Sequence, residues 1–384
     1  MTRTVGLAWD LGAGRGHAVR IAALARCLLQ RGDQVRLFAR DLRTLHAVLE
    51  TEAGGLAKLP LLPAPHNDWI VQTRAPACWG DILWSECGLH DPAQTAAITR
   101  AWQGLLELSG VERLLVDAAP LAHLAAARLG IPSVAIGTGF LCPPPGPPWP
   151  LFRDWEAVDV ADVRAREVRI CEHLAAIDAT PDQLHGTASA MFTWRDCDHY
   201  PGRGGQVQYL GPLAGNGTAA QWPPGSPRIL LYLQPGYAHL PLLHAALQTL
   251  PDAAVLAYFG GPAIWPEQAR LRVATLPIDI GLALQQADLV ISHGGNLAVL
   301  AASAGVPSVL LPTQVEMYLT ARRMCQLGVA VSLTPPFDAL EFATPLRRAL
   351  DPAMARRAQA FAADLPARSD QAILDSVLSL LHTI

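Results

Sequence analysis

Three short runs hold residues whose types and spacing could do chemistry. In LGAGRGHAVR, Gly12, Gly14 and Gly16 lead into His17, where a short apolar strand gives way to an amphipathic stretch. Glycines at such a junction let a ligand approach the backbone closely, and a helix starting there presents unpaired amides. Histidine suits general-base work because imidazole changes charge near neutral pH. The plainer alternative is a tight turn whose histidine only caps the helix. Asp117 closes the apolar run LLV ahead of Pro120. A carboxylate at a strand end either orients the far ring nitrogen of His17 or caps the helix that follows. The longest run is LVISHGGNLAVLAASAGVPSVLLPTQVEMYLTARRMCQLGVAV. His293, Gly294, Gly295 and Asn296 stand there at a helix amino terminus, where amides and the macrodipole favour a diphosphate by about 0.3 to 2 kcal/mol with no divalent ion. Glu316, beyond the next strand, can accept hydrogen bonds from sugar hydroxyls.

These residues need elements to carry them. Val5 to Trp9 reads as a buried strand, His17 to Gln30 as a helix with apolar Ile21, Leu24, Ala25 and Leu28, and Gln34 to Ala39 as a second strand. Strand, helix, strand in that order is a βαβ unit and implies a parallel sheet. The alternation returns at Arg113 to Val116, Pro120 to Leu129 and Ser133 to Ile136. Pro60 to Leu89 and Cys142 to Pro150 are rich in proline and read as surface loops, and Gln206 to Leu210 reads as a closing strand. Residues 213–227, rich in glycine and proline, read as a linker. A second alternation follows, with strands at Arg228 to Leu233, Ala254 to Tyr258, Leu271 to Thr275, Leu289 to Ser292 and Ser308 to Leu311. Helices are expected over His239 to Leu250, Asn296 to Ala304, Tyr318 to Leu327 and Ser369 to Leu381. The fold class is therefore α/β: two doubly wound, Rossmann-like domains over 1–212 and 228–366. A last helix within 367–384 is expected to pack back on the first domain. Ligands of open α/β sheets bind at the carboxyl ends of the strands, so a cleft between the two domains is the expected site.

Composition narrows the partners. Hydrophobic residues make up 51% of the 384 and charged residues 16%, which excludes a disordered chain. A net charge of −4, with Lys58 the sole lysine, is not the basic footprint of a nucleic-acid binder. Seven cysteines without C-x-x-C spacing argue for reduced thiols rather than a disulfide framework or zinc site. The opening residues lack the apolar core of a secretory signal and no apolar run reaches about 18 residues, so a cytosolic protein is expected, with peripheral membrane contact left open. The third glycine of a dinucleotide fingerprint falls on His17, and there is no P-loop lysine or G-x-S-x-G elbow. The D-x-D of Asp196, Cys197 and Asp198 reads as a solvated turn. Trp69, Trp79, Trp84, Trp149 and Trp155 fall in or beside the two proline-rich stretches, either as an aromatic acceptor surface or as loop packing.

With these runs in this order, the chain resembles the nucleotide-sugar-dependent glycosyltransferases of the GT-B fold, especially bacterial relatives of the UDP-glycosyltransferases and of the lipid II-forming N-acetylglucosaminyltransferases. Leu289 to Val331 resembles their donor-binding half, and GRGHAVRIAALARCLLQRGDQV and LLVDAAPLAHLAAARLGIPSVAI resemble parts of the other domain. The resemblance implies that His17 is the base acting on an acceptor hydroxyl and Asp117 its partner. It assigns His293 to Asn296 to the diphosphate and Glu316 to the donor sugar, with Gly14 and Gly16 completing the donor-binding set. The implied reaction is inverting and needs no metal or cofactor beyond a UDP- or dTDP-sugar donor. The implied acceptor is a small molecule, a glycan or a lipid-linked compound. Several positions depart from the pattern: Ala301 replaces the usual ribose-binding acid, Met317 the usual glutamine, Leu297 and Ala298 a glycine and a threonine. Gln234 to Tyr237 stands where Gly-Ser or Gly-Thr is common. Two other readings stay open. The G-x-G-H-x-x-R run also resembles nucleotide-sugar hydrolases of nonulosonic acid pathways, and the thinned donor site suits a non-catalytic sugar-nucleotide-binding partner.

Overall fold

A computed structural model describes residues 2–12, 14–52, 54–71, 75–153, 157–219, 221–334 and 339–384, the side chains of 339–341 excepted. The chain divides into two compact units. The first comprises Met1–Phe192, Tyr200–Gly211 and Gln371–Ile384, the second Thr193–His199 and Pro212–Asp370.

The first unit is built on seven parallel strands: β1 (Thr4–Trp9), β2 (Gln34–Ala39), β3 (Leu61–Pro63), β4 (Arg113–Asp117), β5 (Ser133–Gly137), β6 (Ala188–Met191) and β7 (Val207–Tyr209). They lie in the order β3-β2-β1-β4-β5-β6-β7. Central strands of a parallel sheet are covered on both faces, which explains why β1, β4 and β5 are continuous apolar runs rather than alternating ones. The helix Arg15–Gln30 buries Ala18, Ile21, Ala22, Leu24, Ala25, Cys27 and Leu28 along one face, a spacing that 3.6 residues per turn produces. Gly32, at φ 86°, follows its end in a conformation that costs glycine little.

The second unit has six parallel strands: β8 (Arg228–Tyr232), β9 (Ala254–Tyr258), β10 (Leu271–Ala274), β11 (Leu289–Ser292), β12 (Ser308–Leu310) and β13 (Ala330–Ser332). Their order is β10-β9-β8-β11-β12-β13. In each sheet the winding reverses once, between β1 and β4 in the first and between β8 and β11 in the second. These are the switch points where loops diverge and leave a crevice at the carboxyl ends of the strands.

The proline-rich stretches differ from expectation. Pro60 to Leu89 contains β3 and a helix, Trp79–Ser85, rather than surface loop alone. Proline is tolerated in β3 because that strand is the sheet edge, where a missing amide leaves no ladder bond unmade. The Cys142 to Pro150 stretch is irregular but not superficial: Trp149 is wholly buried and its amide donates to Glu167 Oε1 at 2.9 Å. Thr193–His199 packs with the second unit. Trp194 Nε1 donates to Ser303 Oγ at 2.7 Å, and His199 Nε2 lies 2.9 Å from Thr320 Oγ1. Asp198 is buried there, so the D-x-D is not a solvated turn. All seven cysteines are free thiols. Among the described residues no helix is long and apolar enough to cross a membrane.

Candidate active site

The first switch point gathers three side chains. Trp9, the last residue of β1, is in register with Asp117, the last of β4, and the helix Arg15–Gln30 starts just beyond β1. His17 and Arg20 are three residues apart on that helix, hence on one face. His17 Nδ1 lies 3.1 Å from Asp117 Oδ1, and Arg20 Nη1 lies 2.5 Å from Asp117 Oδ2. The imidazole N–H does not point squarely at Oδ1, leaving this contact electrostatic more than hydrogen bonded. Such bonds commonly align only when substrate is bound. Asp117 is completely buried, and burial alone would raise its pKa. The charges of Arg20 and then His17 outweigh that and hold the carboxyl below the usual range, so it is an anion.

The surroundings fix the imidazole. Its ring stacks on the buried indole of Trp9, with centroids 5.0 Å apart and planes 13° from parallel, and the indole is itself held by Nε1 donating to Leu11 O at 2.8 Å. Gly12, at φ 79°, passes so close that a Cβ there would lie 2.9 Å from His17 Nε2. With Nδ1 turned to Asp117, Nε2 is the nitrogen left to accept a proton. Neither capping alternative holds. The helix caps at Gly14 with no side-chain bond, and the helix Pro120–Arg128 caps at Ala119, also without one. At Gly14 and Gly16 an added Cβ would meet nothing within 4 Å.

Arg20 was visible in the sequence only as the last residue of G-x-G-H-x-x-R. Its spacing from His17 was the available signal, but nothing local shows that both side chains converge on Asp117.

The second switch point is built from main chain. β11 ends at Ser292, and Gly294 and Gly295 adopt φ 107° and 63° to lead into the helix Asn296–Ser303. No side chain caps that helix, which leaves its first amides for a ligand. The His293 ring is occupied within the fold: Nδ1 lies 2.8 Å from Leu311 O and Nε2 accepts the Gln234 amide at 3.0 Å. It therefore ties together the loops after β8, β11 and β12. Burial lowers its pKa, only partly offset by the Leu311 carbonyl, so the ring is neutral. Asn296 Nδ2 donates to Leu213 O at 2.8 Å, holding the entering chain rather than a ligand. The Gly294 amide donates to Ser292 Oγ at 3.2 Å, so what remains for an anion is the amides that open the helix Asn296–Ser303, and not the side chains of the HGGN run. Glu316 sits in the first turn of the helix Val315–Gln326. Ala301 is fully buried against the sheet, so this position points into the core here.

The tryptophans divide. Trp79 and Trp149 are buried, Trp84 stacks on His173 and Trp69 is 75% exposed, while Trp155 lies outside the described residues. No group of three or more His, Cys, Asp or Glu able to hold a metal ion occurs among the described residues.

No protein-family model matches the sequence. Over 51 residues it is 51% identical to the NDP-glycosyltransferase YjiC of Bacillus subtilis (strain 168), a stretch that is 13% of this chain and 13% of that relative's length. Solved structures are similar along the whole chain. The calicheamicin glycosyltransferase CalG4 superposes with a TM-score of 0.72 at 22% identity, covering 100% of this chain and 99% of that one. The glycosyltransferase of kitacinnamycin does so at 0.70 and 18%, covering all of both. The spinosyn rhamnosyltransferase SpnG, solved with thymidine diphosphate, gives 0.65 at 19% identity, covering 98% of this chain and 100% of that one. A second SpnG structure holds spinosyn aglycone. At these identities the likeness establishes the fold, the two-domain α/β architecture of the GT-B glycosyltransferases, as the sequence runs implied.

Proposed function

We propose that this chain is a glycosyltransferase that moves a sugar from a nucleoside diphosphate sugar to an acceptor hydroxyl. The observation that carries the reading is the placement of His17 against a buried, ionised Asp117 at the first switch point, with Nε2 left to take a proton. In the proposed reaction the acceptor oxygen bonds to the anomeric carbon as the bond from that carbon to the diphosphate oxygen breaks. The hydroxyl proton goes to His17 Nε2 and the electron pair leaves with the diphosphate. One displacement inverts the configuration. Asp117 stabilises the imidazolium that forms, as an orienting carboxylate does beside a histidine base. The amides opening the helix Asn296–Ser303 would receive the diphosphate's developing charge without a divalent ion.

The local sequence match to an NDP-glycosyltransferase and the thymidine diphosphate bound by SpnG support a UDP- or dTDP-sugar donor. The aglycone bound by SpnG supports a small-molecule acceptor. We place the enzyme in the cytosol, where such donors are made.

The test is His17→Ala, assayed with UDP- and dTDP-sugars and a panel of hydroxylated acceptors. Loss of general-base assistance should lower turnover by about 10² to 10⁴, with the fold retained by circular dichroism. Turnover equal to that of the unsubstituted protein would remove His17 from the mechanism. Release of free sugar from the donor without acceptor would make water the nucleophile and the protein a hydrolase.

A further inference from the structure

His293 joins three loops of the second unit through both of its ring nitrogens. Nδ1 lies 2.8 Å from Leu311 O, and because a carbonyl only accepts, Nδ1 carries the hydrogen. Nε2 is then the acceptor, and it takes the Gln234 amide at 3.0 Å. This arrangement exists only in the neutral ring. A proton on Nε2 would set two donors against each other and release the loop after β8. The turn that follows His293, made by Gly294 and Gly295, leads straight into the helix Asn296–Ser303. It is also packed against the helix Val315–Gln326, since a Gly294 Cβ would stand 3.1 Å from Met317 O. The amides that open Asn296–Ser303 are thus placed by a ring that works only uncharged.

Tyr237 lies against that ring. The two centroids are 5.1 Å apart and the planes meet at 74°, an edge-to-face contact. Tyr237 is fixed by its own backbone: its amide donates to Gln234 O at 3.2 Å and its carbonyl accepts the Leu240 amide at 3.3 Å. One short loop therefore carries both the shielding ring and the amide that His293 accepts. The Tyr237 hydroxyl is buried and has no hydrogen-bond partner among the described residues. An unpaired buried hydroxyl costs stability rather than adding it, so what Tyr237 contributes is its ring, which also packs against the apolar core of the second unit. Two influences act on the His293 pKa, burial lowering it and the Leu311 carbonyl raising it, and neither is a charged side chain. A second imidazole, His239, meets Tyr237 edge-on with centroids 5.4 Å apart.

We propose that Tyr237 is a positioning residue for the donor's diphosphate: its ring shields the His293 imidazole from water, which keeps Nε2 an acceptor, the Gln234 amide bound and the helix amides in place. The inference rests on the reading that those amides receive the diphosphate. Tyr237 acts through His293 and not on the reacting atoms. It therefore governs donor affinity and the pH range over which that affinity holds, not the bond-breaking step.

The test is thymidine diphosphate binding to the full chain by calorimetry at about pH 7.5 and about pH 5.5, either side of the ordinary imidazole range. Each variant's affinity is divided by that of the unsubstituted protein at the same pH, so that the titration of the diphosphate itself cancels. In Tyr237→Leu the shield is gone and His293 returns toward the ordinary value of about 6.5, which leaves roughly a tenth of the rings neutral at the lower pH. The affinity ratio should therefore be about tenfold smaller there than at the higher pH. Tyr237→Phe keeps the ring and should hold the ratio near one at both. Adding His239→Asn to Tyr237→Leu should leave the tenfold step in place, because His293 is the group that titrates. A ratio in Tyr237→Leu that is the same at both pH values is what a purely structural role gives, and it would overturn the proposal. So would a step that appears in Tyr237→Phe or one that His239→Asn abolishes.

Nitrogen chemical shifts of the imidazole rings supply a second measurement that needs no nucleotide, with the His293 signal identified by its loss in His293→Gln. The unsubstituted protein and Tyr237→Phe should show a neutral ring protonated on Nδ1 at the lower pH, and Tyr237→Leu a ring that titrates near the ordinary value. A His293 ring already charged there in the unsubstituted protein overturns the proposal whether or not the leucine variant folds. The two readings fail separately. A shielded, neutral His293 in a protein that binds no nucleotide upholds the effect of Tyr237 on the ring and sinks the donor site. Transfer from a sugar nucleotide with a pH-independent ratio in Tyr237→Leu does the reverse.

Discussion

At the residue scale the informative group is Asp117, an anion with no exposed surface whose two oxygens face the Arg20 guanidinium and the His17 imidazole on one helix face. Removing one partner leaves a buried charge half compensated, which typically costs about 3 to 5 kcal/mol. Arg20→Leu should therefore lose stability of that order in urea unfolding, and Arg20→Lys should lose less. The pH dependence follows from the lowered pKa. A carboxyl depressed in the folded state adds stability that is present above its unfolded value, 3.8, and is lost as pH falls through the folded value. In Arg20→Leu that loss should begin at higher pH. Asp10 behaves oppositely. It is buried just beyond β1 with Oδ1 unpartnered, and burial pushes its pKa up to about 8, with Arg40 lowering it in part and Glu86 adding to the rise. Its folded form holds a proton that the unfolded form releases, so its contribution weakens as pH climbs from about 4 to about 8. Asp10→Asn should raise the unfolding free energy at pH 8 by on the order of a few kcal/mol and change it little at pH 4. A gain of equal size at both values would contradict this account.

At the scale of elements, the candidate sites of the two units each use one device, a strand ending at a switch point, a glycine turn and an uncapped helix. The device demands glycine where the backbone turns left-handed. At Gly294, φ is 107° and a Cβ would stand 3.1 Å from Met317 O, so side chain and backbone conformation both resist substitution. Gly294→Ala should weaken UDP and thymidine diphosphate binding at least tenfold in calorimetry, because the amides of the following helix are displaced. The same substitution at Gly16, which has open space and ordinary φ, should leave nucleotide binding unaltered. The strand and helix order and the glycine turns were legible in sequence because apolar runs and turn residues are local signals. Among the pieces that escaped, β3, β6, β13 and the helix Trp79–Ser85 are short. Their few residues are held by neighbouring strands and by burial, so periodicity had too little length in which to appear. The longer helices Leu42–Thr51, Pro92–Leu108, Val160–Ala175, Ala339–Ala349 and Pro352–Ala363 were not read from the sequence either.

For the whole molecule, the chain crosses between its units more than once and ends in the first. The helix Asp370–Thr383 buries Ile373, Leu374, Val377, Leu378 and Leu381. It is joined to the helix Arg15–Gln30 and the residue after it by Arg31 Nη2 to Asp375 Oδ1 at 2.8 Å and by Gln371 against Cys27. At about 1.5 to 3 kcal/mol for each buried side chain, this helix contributes as much as the whole net stability of many domains. Deleting residues 371–384 should therefore abolish the cooperative unfolding of the first unit. Asp370, which accepts from the amides of Ala214 and Gly215 at 3.1 and 2.9 Å, is kept in that variant, so the second unit should still bind nucleotide. A truncated chain whose first unit melts normally would show that the helix is dispensable.

Reading residues in order was enough to establish an α/β chain with two alternating halves, a glycine turn before His17, a second before Asn296, and Asp117 at a strand end. Each of those is written in composition and spacing over a few residues. Folding alone decided that Arg20 shares Asp117 with His17 and that the His293 ring is spent on Leu311 and Gln234. Those facts depend on contacts between segments from 18 to about a hundred residues apart. Burial and partner geometry at such separations are set by packing of the sheet and its helices, which no local pattern encodes.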